Sequence, residues 1–89
     1  MIDGFQWDAR NMDHMACHRV VPAEVEEIFE GRYFLFKAWT GRYVVLGQTA
    51  TDRGLSCVFE KTRRPGEIRV ITARDMSDRE RQLYRRKVG

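Results

Sequence analysis

Arg74, His14, His18 and Glu60 are the side chains of this chain best suited to chemistry. Arg74 closes a β-prone run and stands just before a helix-capping signal, so it can reach both a sheet end and a helix. Its planar guanidinium stays charged and grips a phosphate or carboxylate oxygen pair in a fork. A structural ion pair to Asp75 or Glu80 is the competing use. His14 and His18 are one helical turn apart. They suit proton transfer near neutral pH, or a phosphate contact. The same spacing fits a two-histidine metal face, but a third ligand would have to come from Cys17, Asp13 or a distant residue, and no HExxH pattern is present. No metal and no cofactor are therefore expected. Glu60 is the carboxylate alternative as a base. Lys37, with Trp39 on the same strand face and Tyr43 across a hairpin, can stack a base and hold its phosphate, or can simply protect a sheet edge. Glycine patterns for a phosphate loop or a dinucleotide are absent.

The charge is polarised along the chain. Residues 61–87 carry ten cations against four acids, whereas residues 1–30 carry two against seven. A net charge of +3 hides this asymmetry. One-sided basic charge in a small domain suggests a polyanion, most plausibly nucleic acid. A terminal helix with Arg79, Arg81, Arg85, Arg86 and Lys87 is also what a merely solvated helix face looks like. Eighty-nine residues with 43% hydrophobic content suit one domain, 1–89, with a two-layer core. Cys17 and Cys57 are too few and too far apart for a disulfide framework or a metal knuckle. The start lacks the order of an export signal, and no apolar run reaches membrane length. A cytoplasmic protein with free thiols and no membrane partner is the expectation.

The elements that position these residues follow from period and punctuation. Gly4–Asp8 reads as a short strand ending on an N-cap carboxylate. A helix then runs to about His18, with Met12, Met15 and Ala16 as its apolar stripe and Asn11 on a neighbouring face with the histidines. Pro22 opens a second helix that buries Val25, Ile28 and Phe29, and Gly31 is expected as its left-handed stop. From Arg32 the period becomes two. Strands are expected over Tyr33–Trp39, Arg42–Thr49, Leu55–Thr62 and Glu67–Ala73, joined by tight turns, the first across Thr40-Gly41. Ser77-Asp78-Arg79-Glu80 is a capping box opening a helix to about Arg86. The result is an α+β chain: strand, two helices, a four-stranded antiparallel meander and a C-terminal helix.

Several segments in this order resemble the BrnT family. They are Phe5-Gln6-Trp7-Asp8, then Asn11, His14 and His18, then the Pro22–Phe29 helix. Gly41–Thr49 follows, then Ile68–Arg74, and lastly Arg79-Glu80-Arg81 with Tyr84. The resemblance implies a RelE-like two-layer fold and a ribonuclease toxin of a bacterial toxin–antitoxin pair. Such a toxin cleaves RNA without metal and is restrained by a ribbon-helix-helix antitoxin of the BrnA type. On that reading the RNA's own 2′-hydroxyl is the nucleophile. Arg74 clamps the phosphate, His14, His18 or Glu60 takes the proton, and Lys37, Arg53, Lys61, Arg69, Arg79 and Arg81 hold the strand. The family's third strand often ends Gly-Arg-Thr where this chain has Gly47-Gln48-Thr49. A cation at that place is expected from Arg53 or Lys61. The other readings are a non-catalytic module that binds nucleic acid or antitoxin, and a basic face that serves to dock an acidic antitoxin segment.

Overall fold

The computed structural model describes residues 2–39 and 41–89. It is α+β, with β1 (Gly4–Gln6), α1 (Ala9–Ala16), α2 (Pro22–Glu30), β2 (Tyr33–Lys37), β3 (Tyr43–Gln48), β4 (Gly54–Lys61), β5 (Glu67–Asp75) and α3 (Asp78–Val88). The five strands form one mixed sheet in the order β1-β5-β4-β3-β2. Consecutive strands from β2 to β5 pair antiparallel, while β1 lies parallel to β5 with Gly4 opposite Glu67. A parallel neighbour needs a long crossover, and everything between β1 and β5 supplies it.

Alternation along the strands makes both sheet faces apolar, and helices cover both. One face carries Val45, Leu55, Cys57, Phe59, Val70 and Ala73 against Met15 of α1 and Val25 and Ile28 of α2. The other carries Val44, Leu46 and Val58 with Phe34 and Phe36, and these pack against Met76, Leu83 and Tyr84. The expected two-layer arrangement is thus extended, because α3 forms a third layer over β2 and β3. The physical reason is the continuous apolar row Phe34, Phe36, Val44, Leu46, which water would otherwise wet. A bulge at Val58/Phe59 lets both faces stay in register with β5.

The helix ends follow local chemistry. Asp8 accepts from the Asn11 amide at 2.9 Å, and Ser77 and Glu80 form the expected reciprocal box. Gly31 differs from expectation, because it is extended (φ −100°, ψ −154°) and leads straight into β2. The left-handed stop belongs instead to Arg19 (φ 58°) after α1. There the Val20 and Arg19 amides donate to the Met15 and Ala16 carbonyls, and Val20 is buried, which is the Schellman arrangement. A non-glycine residue there is strained, so Arg19→Gly is expected to raise stability by about 1 kcal/mol. Equilibrium urea unfolding checks it, with the midpoint moving up.

Other boundaries shift by a residue or two at each end. Within α1 the roles of two residues exchange. Met12 is 44% exposed, while Asn11 is buried with its side-chain Nδ2 lacking a partner. The expected Thr40-Gly41 turn falls partly outside the described residues; Gly41 itself has φ 72°. Pro65 and Gly66 (φ 80°) reverse the chain between β4 and β5, with the Glu67 amide donating to the Arg64 carbonyl. Among the described residues no helix is long and apolar enough to cross a membrane.

Candidate functional site

The C-terminal end of β5 gathers the largest share of the expected site residues. Arg74 points to the α3 side of the sheet, opposite Ser56. Its two terminal nitrogens meet the Glu80 carboxylate at 2.8 and 3.1 Å, and one also donates to the Asp75 carbonyl. Glu80 in turn accepts from the Ser77 amide and the Ser56 hydroxyl. Partial burial pushes the Glu80 pKa up, but the Arg74, Ser77 and Ser56 donors outweigh it and leave the carboxyl below its ordinary value. Glu80 therefore stays ionised and is a poor proton acceptor. Arg74 is presented on a rigid fork of the same geometry that phosphate oxygens would take.

Arg53, expected as an RNA contact, is engaged in a network of its own. It binds Asp75 through Nε at 2.8 Å, Glu24 at 3.1 Å, and the carbonyls of Arg19 (2.8 Å) and His18 (3.2 Å). One guanidinium thus ties the loop after α1 to α2 and to the end of β5. That tie brings His18 to the strand end. Asp75 sits below its ordinary pKa mainly through the Arg53 hydrogen bonds, with the charges of Arg81 and His18 adding to the shift. Asp75 thus has Arg53 in hydrogen-bond contact and Arg81 and His18 within charge reach. His14 lies one turn earlier on α1 and is exposed.

Beside this cluster is a hollow of about 340 Å³ lined by Gln48, Gly54, Met76, Arg81, Tyr84 and Arg85. Gln48 opens into it, so the cations nearest that position are Arg81 and Arg85 of α3. The expectation that Arg53 or Lys61 would stand in there is corrected. Arg53 is held in ion pairs, and Lys61 lines a separate hollow on the opposite sheet face. Arg79 is exposed in the first turn of α3.

Three expected residues lie elsewhere. Glu60 is held between Arg42 (3.3 Å) and Arg69 (3.1 Å), and Arg69 also reaches Asp8 (3.3 Å). Glu60 is four residues along β4 from Ser56, or roughly 13 Å from the Arg74 level. Neither Glu60 nor Arg69 joins the strand-end cluster. Lys37 pairs with Tyr43 across the β2–β3 hairpin, as expected, at the other end of the sheet. Trp39 is 60% exposed rather than covering core. Among the described residues no group of three or more His, Cys, Asp or Glu side chains is arranged to hold a metal ion. Cys57 is buried, which pushes its thiol pKa up to about 12 and makes it inert, while Cys17 is exposed.

Sequence reasoning missed the anchoring role of Arg53 and the presence of Arg85 beside Gln48. The second had a signal, since Arg81 and Arg85 are spaced i, i+4 and so share a helix face. No protein-family model and no curated protein matches the chain.

Proposed function

We propose that this chain is a BrnT-like ribonuclease toxin that cleaves RNA through the 2′-hydroxyl without a metal ion, acts in the cytoplasm, and is restrained by a ribbon-helix-helix antitoxin. The observation that carries the reading is that Arg74 ends β5 beside Asp75, which has Arg81 and His18 within charge reach, and that Arg81 lines an adjoining hollow. A phosphodiester seated there would meet Arg81 and Arg85 first. Arg74 would bind it by exchanging one Glu80 oxygen for a phosphoryl oxygen. Such preorganised cations stabilise charge that develops during transfer. His18 is the proton acceptor in this scheme, since Glu80 and Glu60 are both engaged by arginines. The likeness of the ordered segments to BrnT supplies the substrate class and the antitoxin partner.

The test is incubation of the purified protein with RNA in chelator. Cleavage leaving 2′,3′-cyclic phosphate ends is expected, and Arg74→Ala and Arg81→Ala should each slow it on the order of a hundredfold. Equal rates in these variants, with folding verified by circular dichroism, would overturn the assignment. The full Arg74–Glu80 fork favours a second reading, a module that binds without turnover. Salt-sensitive RNA affinity with no cleavage by the parent protein would select it.

A further inference from the structure

The far end of the sheet holds a second, unrelated surface. β2 is an edge strand, with β3 as its sole neighbour in the strand order. Its sequence Tyr33-Phe34-Leu35-Phe36-Lys37 is strongly β-prone and carries one charge, at its end. Natural edges are usually blunted by charge, proline or a covering element, because open N–H and C=O groups recruit another strand. Here α3 covers one face of β2 and leaves the other open. Leu35 is 38% exposed on that open face, directly opposite Val45.

Against the open face of β2 lies a hollow of about 490 Å³. Tyr33, Leu35, Tyr43 and Phe59 contribute to its floor, and Lys61, Arg63 and Arg64 also line it. Among the described residues none of Lys37, Lys61, Arg63 and Arg64 has an acidic partner, whereas Arg42, Arg53, Arg69 and Arg74 all do. The one acid in the lining, Glu67, accepts from the Thr62 hydroxyl at 2.8 Å. We propose that the β2 edge and this hollow together dock an acidic, extended segment of a partner polypeptide, taken up as a sixth strand with apolar side chains at alternate positions seated in the hollow.

The chemistry favours a peptide over the alternatives. Backbone pairing to an open edge supplies affinity, and pockets for alternate side chains supply selectivity. The one open ring the hollow offers a nucleic-acid base is that of Tyr33, because Tyr43 already stacks on Phe59 and has the Lys61 ammonium 5.3 Å from its ring centre. Leu35 and Ile68 are aliphatic. A second copy of this chain would bring two sets of unpaired cations together. The surface lies away from the Arg74 cluster, so it stands or falls independently of the proposed ribonuclease.

The test uses the full chain and a fluorescent peptide of alternating Glu and Leu, about ten residues long, enough for one strand. It should bind, more tightly at low salt. Arg63→Glu with Arg64→Glu should weaken it about tenfold or more, as should Leu35→Lys alone. The charge reversal Arg81→Glu should leave it unchanged. The proposal is overturned if the peptide does not bind, if a Lys–Leu peptide binds equally, or if these variants bind like the parent. Single-stranded RNA binding lost on the Arg63/Arg64 reversal, without peptide binding, would assign the surface to nucleic acid instead. A concentration-dependent dimer abolished by Leu35→Lys would assign the edge to a second copy.

Discussion

Arg53→Ala is expected to lower stability by about 2 kcal/mol and the melting temperature by about 10 °C. The guanidinium serves two carboxylates and two main-chain carbonyls, and its side chain is 26% exposed. Removing it leaves Glu24, Asp75 and the carbonyls of His18 and Arg19 to find water. Partial exposure makes that cost smaller than for a fully buried pair. Arg53→Lys should recover less than half, because an ammonium cannot bridge four acceptors on three elements. The pH dependence carries a sign. Asp75 has a depressed pKa in the folded state, so the stability it contributes is complete above the ordinary carboxylate range, about pH 4. That contribution is lost as pH falls through the lower folded-state value. The variant lacks it from the outset, so its melting temperature should fall less steeply on acidification than the parent's. A variant that melts within about 2 °C of the parent at neutral pH would refute this account.

Gly47→Val should cost about 3 kcal/mol or more, enough to leave much of the protein unfolded. A Cβ at position 47 would sit 2.8 Å from the Ile28 Cβ, with the Ile28 carbonyl oxygen at 3.4 Å. Ile28 is fully buried, so neither partner has open space to move into. Glycine is needed here for close approach of helix to strand; its backbone angles are ordinary for a strand. Gly47→Ala with Ile28→Gly should be less damaging than the two single costs combined, since removing the Ile28 Cβ vacates the space the new Cβ needs. Strict additivity in denaturant unfolding would rule out the contact as the cause.

The legible parts of this fold are those set by neighbours in sequence. Asp8, Pro22 and the Ser77–Glu80 box act within one turn of chain, and the alternation after Arg32 marks strands without reference to anything distant. Features fixed by long separations were harder to read. The partners of Arg53 are 22, 29 and 34 residues away, so nothing local distinguishes it from a free surface cation. The same holds for Glu60 and Arg69, which neutralise each other across β4 and β5. Which sheet face α3 covers is decided by Phe34, Phe36, Val44 and Leu46, an apolar row of their own that Leu83 and Met76 close over. At the candidate site, Arg74 and Arg81 could be grouped from spacing. The approach of His18 depends on a loop pinned by Arg53 from the β3–β4 turn, which no period reveals.

The parallel partnership of β1 with β5 has a bearing on how the chain matures. Gly4 cannot find Glu67 until the intervening polypeptide has left the ribosome. β1 is thus made well before β5 and is among the last strands seated. Until then β5 offers a bare flank, and long-range closure of this kind is slow relative to hairpin formation. A chain whose β1 has not yet closed therefore carries an unpaired β5 flank, the state most open to a chaperone or a protease.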